Sequence, residues 1–221
     1  MIPIYTAIYG GYDKLQPINC DDNRFKHICV SDSLPADLNG WCPAIKIVSG
    51  ESPLVMSRRV KFLAYKMFSV INRAKVSVYI DGSLMILDYD LLYDLCQKLL
   101  NNPAVDMIMP QSRKRNNIVT EAIQAISWGR VSPDAVLKEM RYIYGRGFCG
   151  STLTASCGFR ITKINKYSSK FLGAWFDHFN RFQTRDQISF PFIAWKLNYD
   201  RYKLFGSSTR NRLFKKMDHL K

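Results

Sequence analysis

Short runs of β-favouring apolar residues alternate along this chain with segments of helical period, and that alternation limits what it can fold into. Residues 3–9 (P-I-Y-T-A-I-Y) read as a buried first strand ended by Gly10-Gly11, and 25–30 (F-K-H-I-C-V) as a second, stopped by S-D-S-L-P. A short third strand is expected over 44–48. Ser57 can cap a helix whose inner face is Val60, Leu63, Ala64 and Met67, and a strand follows at 76–80. Leu91, Leu92, Leu95 and Leu99 continue at helical spacing as far as N-N-P near Asn101, and 105–109 is the next strand, closed by Pro110. Helices are expected at about 118–128 and 133–143, the second opened by S-P-D. Residues 151–162 are strand-like, and two helical patterns close the chain. Strand and helix in alternation imply an α/β domain, with one mostly parallel sheet covered on both faces.

The length of 221 residues suits a single domain, read as 1–206 with a basic tail over 207–221. Hydrophobic residues make up 47% of the chain, which excludes a disordered composition. No run approaches the ~18 consecutive apolar residues of a membrane span. The N-terminus lacks a basic leader pattern and reads as a strand. Six cysteines, at 20, 29, 42, 96, 149 and 157, include no C-x-x-C pair, which argues against a zinc cluster or a disulfide framework. They read as small hydrophobes in a reducing compartment, so a cytoplasmic location is expected.

Charge is the strongest compositional signal. Lys and Arg number 32 against 18 Asp and Glu, a net +14. Such a surface attracts polyanions, whether nucleic acid, anionic membrane or phosphorylated small molecules. The excess clusters at 57–61, 113–115 and 210–216, and charge alone does not choose among the three.

Ligands of open α/β sheets bind beyond the carboxyl ends of the strands, where Gly10-Gly11, Asp32 and Asp81-Gly82-Ser83 are expected to fall. Three motifs occur in order: Y-T-A-I-Y-G-G-Y-D-K-L near the start, Y-I-D-G-S-L after the fourth strand, and T-R-D-Q-I-S-F-P-F-I-A-W-K-L near the end. Together, over about residues 3–198, they resemble a glycosyltransferase-like family that includes plant mucilage-synthesis proteins and bacterial and viral sugar transferases. More distantly the layout is similar to the glycogenin-like retaining enzymes.

That resemblance implies a GT-A fold and transfer of a sugar from a nucleotide-sugar donor, a UDP-sugar, to a glycan or lipid-linked acceptor. It implies a nucleotide cradle over residues 6–13, with Thr6, Ala7, Tyr9, Gly10, Gly11, Tyr12 and Asp13, and with Asp32 near the base or ribose. In GT-A enzymes an Asp-x-Asp at a central strand end binds Mn²⁺ or Mg²⁺ with the diphosphate, because a hard cation neutralises charge that grows as the bond breaks. Here the matching residues are Asp81, Gly82 and Ser83, so the second position is a hydroxyl. Arg58 and Lys61, three apart on one helix face, would then share the load as cationic clamps. Near the end, Thr184 and Gln187 fit a capping box. In related transferases the Asp-Gln pair lies beside the transferred sugar, which implies that Asp186 binds sugar hydroxyls or orients the acceptor, with Arg185 and Gln187 adjoining. By the same likeness His219 is a further metal ligand.

Two other readings remain open at this point. A non-catalytic nucleic-acid-binding protein fits the charge and the tyrosines, although no nucleic-acid motif appears. The basic tail reads either as an anchor to anionic membrane or as a flap that folds over the donor site.

Overall fold

The computed structural model describes residues 1–19, 22–33, 37–112, 117–150, 154–207 and 212–217. Its central sheet is built first from β1 (Ile2–Ile8), β2 (Phe25–Ser31) and β3 (Ala44–Lys46). After β3, the helices α1 (Pro53–Met67) and α2 (Ser69–Asn72) lead into β4 (Val76–Ile80). The short β5 (Leu84–Ile86) and the helix α3 (Tyr89–Asn101) follow, then β6 (Met107–Gln111), α4 (Ile118–Ser127), α5 (Pro133–Tyr144) and β7 (Phe159–Lys163). The helices α6 (Lys166–Phe182) and α7 (Asp186–Lys196) precede β8 (Tyr202–Ser207) and β9 (Phe214–Lys216).

Seven strands lie in the order β3-β2-β1-β4-β7-β6-β8. All run parallel except β7, which is antiparallel to both its neighbours. The chain steps outward from β1 to β3 and then returns through α1 to place β4 on the other side of β1. The order therefore reverses between β1 and β4, and a crevice opens there beyond their carboxyl ends.

Period-two alternation builds a core on each face of the sheet. Ile2, Ile4 and Ile8 of β1 and Val76, Val78 and Ile80 of β4 pack with Leu92, Cys96 and Leu99 of α3. Tyr5 and Ala7 of β1 and Tyr79 of β4 face the other way, toward Val60, Phe62 and Ala64 of α1 and the aromatic run Phe171, Trp175 and Phe190. Each large side chain buried in this way contributes about 1.5–3 kcal/mol.

Several expected boundaries shift. Helix α1 begins a turn before Ser57: Ser52 is its cap, accepting from the Val55 amide at 3.3 Å, and Pro53 occupies the first helical position. Pro110 lies inside β6 rather than closing it, tolerated beside a register shift against β8. The end of the chain is not two helices alone, since β8 extends the sheet and β9 pairs antiparallel with β5.

Candidate active site

A cleft of about 640 Å³ opens at the reversal between β1 and β4. The loop after β1 forms one wall, with Tyr9, Gly10, Tyr12 and Asp13, and the first turns of α1 add Pro53, Leu54, Ser57 and Arg58. Gly10 has φ +65°, and a Cβ there would lie 3.1 Å from Pro53 Cβ, so glycine lets this loop sit on the start of α1. The Asp32 carboxylate accepts from the Gly10 amide at 2.8 Å and fixes the same turn. Asp81 and Ser83 form the floor, Arg130, Ser156 and Gly158 the far side, and Thr184, Arg185 and Gln187 the back. Phe214 and Lys216 of β9 close the near edge.

Asp81 follows β4 directly. Its amide donates to Gly158 O at 2.7 Å, and a Cβ on Gly158 would meet Asp81 Oδ2 at 2.8 Å, so the antiparallel β7 begins tight against this carboxylate. The Tyr79 hydroxyl donates to Asp81 Oδ1 at 2.6 Å. Burial and then the Asp81 charge push the Tyr79 phenol well above its ordinary range, so it keeps that proton.

Beneath the floor lies a buried ion cluster. Lys61 Nζ stands 3.5 Å from Asp81 Oδ1 and 2.6 Å from Asp186 Oδ2, and Arg58 Nε donates to Asp186 Oδ1 at 2.9 Å. Burial pushes the Asp186 carboxyl up, but the charges of Arg58, Lys61 and Arg185 outweigh it and hold the group far below the usual carboxylate range. The Lys61 turn is tied to the sheet through its carbonyl, which accepts from Tyr5 OH at 3.1 Å and Arg160 Nη2 at 2.5 Å.

The cleft brings together Ala7, Tyr9, Gly10, Tyr12, Asp13, Arg58, Asp81, Ser83, Arg185 and Gln187 from the sequence expectations. Others sit elsewhere. Thr6 is fully enclosed in the sheet. Gly11 forms the turn at φ +60°, and Asp32 braces the loop from behind. Gly82 serves protein packing rather than phosphate approach, because a Cβ there would lie 2.8 Å from Asp13 Cβ. Lys61 is only 2% exposed and acts on the site from below. Asp186, also 2% exposed, has both oxygens taken by Arg58 and Lys61, so it is not placed to meet sugar hydroxyls. Thr184 is not a helix cap: α7 starts after Arg185, and the Thr184 hydroxyl donates to Glu139 Oε2. His219 lies outside the described residues.

Sequence reasoning missed Arg130, Thr184 as a wall residue, Ser156 and Gly158, and had Lys216 only as part of a basic tail that could fold over the donor site. Lys216 had a usable signal. In F-K-K, Phe214 and Lys216 share one face of a strand, and both reach the cleft.

A divalent cation accompanying a diphosphate would be held here by Asp81 and Ser83. Asp81, about a third exposed, and Ser83 offer two hard oxygens, and Mg²⁺ is commonly held by one or two protein oxygens plus phosphates and water. Among the described residues no three His, Cys, Asp or Glu side chains gather into a metal site.

Among solved structures, the chain resembles the WbbM bifunctional glycosyltransferase at a TM-score of 0.50 and 10% identity, covering 92% of this chain and 38% of that one. Mouse xyloside xylosyltransferase 1 matches at a TM-score of 0.48 and 8% identity, over 92% of this chain and 84% of that one. GlyE of Streptococcus pneumoniae TIGR4 matches at 0.45 and 9%, over 92% and 45%. The chain thus spans less than half of WbbM and of GlyE, and the likeness to WbbM establishes a shared GT-A fold. No curated protein sequence matches. Residues 56–219, which contain Arg58, the Asp81 strand end, the 184–187 turn and β9, match the TOD1/MUCI70 glycosyltransferase-like domain, and the chain belongs to that family.

Proposed function

We propose that this chain transfers a sugar from a UDP-sugar to a hydroxyl of a glycan or lipid-linked glycan, with retention of configuration. One observation carries the reading. At the strand reversal, a solvent-accessible carboxylate and the cations Arg58, Arg130, Arg185 and Lys216 face a single cleft.

Cleavage of the donor places negative charge on the departing diphosphate, and preorganised cations stabilise that charge most where water is excluded. Arg58 is anchored by Asp186 with its guanidinium at the cleft wall, so it needs little reorganisation. The first turn of α1 carries no acidic residue, and Pro53, Leu54 and Ser57 line the cleft, so the positive end of the helix dipole adds to the field. Asp81 and Ser83 would hold Mn²⁺ or Mg²⁺, which when bound supplies Lewis-acid stabilisation of the leaving group. Tyr9 and Tyr12 take the base. Gln187, whose Oε1 is buried without a protein partner, takes a hydroxyl of the transferred sugar. Asp186, held ionised by its cations and enclosed, does not serve as the base, and the acceptor proton passes to the departing phosphate oxygen on the attacked face.

The described part of the tail favours the flap reading over a free anchor, because Leu213 and Phe214 are buried and Lys216 reaches the cleft. Contact with an anionic membrane, for a lipid-linked acceptor, falls to the exposed Arg212 and Lys215.

The test is Asp81→Ala, assayed for hydrolysis and transfer with UDP-glucose, UDP-galactose and UDP-xylose, with and without Mn²⁺. Turnover should fall by about 100-fold, the scale of losing a metal-site contact. The chain should stay folded with a lowered melting temperature, because the buried Tyr79 hydroxyl loses its acceptor at a cost of about 1–3 kcal/mol. Undiminished turnover overturns the site. Salt-dependent oligonucleotide binding, with no thermal shift from any nucleotide sugar, would favour the nucleic-acid alternative.

A further inference from the structure

Thr184, Arg185 and Asp186 are consecutive, yet each is tied to a different helix. Thr184 Oγ1 donates to Glu139 Oε2 of α5. Arg185 Nε lies 3.7 Å from Glu121 Oε1 of α4. Asp186 is gripped by Arg58 and Lys61 of α1. Glu121 and Glu139 are both 0% exposed. The remaining Glu139 oxygen bonds His178 Nε2 of α6 at 2.8 Å, and the rings of Tyr142, Phe182 and Phe192 pack around that imidazole. The three-residue turn between α6 and α7, which includes Gln183 at φ +50°, and the first residue of α7 are therefore held from three helices, α5, α4 and α1.

Gln187 differs from the three residues before it. It lines the cleft as Thr184 and Arg185 do, but its Oε1 is buried without a protein partner. Pro191, four residues on, has no N–H to close on the Gln187 carbonyl, so its backbone acceptor is also left out of the helix ladder. Buried carboxylates are costly unless paired and hydrogen-bonded, and once satisfied they rigidify what they touch. Here Glu139 has both oxygens hydrogen-bonded, to Thr184 and His178, while Glu121 stands at ion-pair distance from Arg185 without a hydrogen bond to its Nε.

We infer that Glu139 is a positioning residue: it fixes Thr184 so that Gln187, three residues on, is presented to the reacting sugar in one orientation. What Gln187 meets rests on the sugar-transfer reading; the anchoring of the turn does not. A loose turn would still admit the nucleotide, held by the opposite wall, but would misplace the reacting end. Misplacement of that kind lowers kcat more than it raises KM.

The experiment uses the full chain with Thr184→Val, which is near-isosteric and leaves Glu139 paired with His178. Thr184→Ser restores the hydroxyl, and Glu139→Gln gives a second view of the same bond. With the UDP-sugars named above, the valine variant should lose about tenfold or more in kcat with donor KM within about threefold, and serine should recover wild-type turnover to within about twofold. Amide hydrogen exchange over residues 184–188 should speed up about tenfold in the valine variant and not in the serine one. Wild-type exchange and kcat in Thr184→Val overturn the inference. A kcat loss with unchanged exchange also overturns it, since the hydroxyl then touches substrate directly. If the wild type turns over none of the donors, the sugar-transfer reading fails, and the exchange measurement alone decides whether the turn is anchored as described.

Discussion

Two aspartates share one lysine in this molecule, and their surroundings assign them opposite work. Asp81, at the end of β4, keeps about a third of its side chain exposed and stands 3.5 Å from Lys61. Asp186, at the start of α7, is 2% exposed, 2.6 Å from the same ammonium and hydrogen-bonded to Arg58 besides. The first is a carboxylate at a cleft wall with capacity for a ligand. The second is spent on holding two cations in place, one of which reaches the cleft. The sequence motif around each looks equally functional. What separates them is how many protein charges reach each carboxylate before a ligand does.

The sharpest way to break that contrast is Asp186→Asn. Removing one member of a buried ion cluster leaves the other charges uncompensated and costs about 3–5 kcal/mol, to be read from urea denaturation against the wild type. The pH dependence follows from the direction of the shift. The folded-state pKa of Asp186 lies below its unfolded value, despite burial, because Arg58, Lys61 and Arg185 stabilise the anion. Its contribution is thus fully present above the unfolded carboxylate pKa, about 4, and is lost as pH falls through the folded value. The stability gap between wild type and variant should be full at neutral pH and begin to narrow below about pH 4. A gap that stays constant into acid would mean that Asp186 is not the charge holding the cluster.

Parts of both regions were legible in the sequence, for physical reasons that differ. Local periodicity exposed β1 and β4, because side chains two apart must share a face, and the strand ends located Gly10 and Asp81 without knowledge of any contact. The antiparallel insertion of β7 between β4 and β6 was not legible, since strand order depends on long-range pairing that no local pattern encodes. Lys61 beside Arg58 looks like a solvated helix face, and only the arrival of Asp186 from 125 positions away makes burial of an ammonium tolerable. Thr184 with Gln187 matches a helix cap locally, but Glu139, 45 residues earlier, competes for the hydroxyl and wins it. Sequence patterns report what neighbours in the chain can do; they do not report which distant carboxylate takes a side chain away.

A smaller effect distinguishes the exposed cation from the buried one. Lys216 lies on the surface of β9 and contributes to the cleft without supporting the core. Lys216→Ala should leave the melting temperature unchanged and weaken UDP binding about tenfold, the scale of one charge-assisted hydrogen bond of about 1.5–3 kcal/mol. The loss should shrink as salt is raised, because exposed charges are screened. Titration of UDP by calorimetry at two ionic strengths measures both. Unaltered affinity would remove β9 from the donor site and leave the cationic load on Arg58, Arg130 and Arg185.

The smallest expected effect is at Tyr9, on the wall opposite the anchored turn. Its ring is 5% exposed, its hydroxyl has no protein hydrogen-bond partner, and the residue lines the cleft. Burial, with the nearby Asp32 and Cys29, pushes the phenol up to about 12, so it carries its proton through the neutral range and acts as a donor. Deleting a hydroxyl that bonds nothing in the protein should cost no stability, since removal of an unsatisfied buried group is neutral or favourable. Tyr9→Phe should therefore keep or slightly raise the melting temperature while UDP affinity drops about fivefold, in line with one neutral hydrogen bond of about 1 kcal/mol. A variant that loses stability and keeps affinity would reverse the assignment, making Tyr9 a packing residue and confining base recognition to Tyr12 and the rest of the loop.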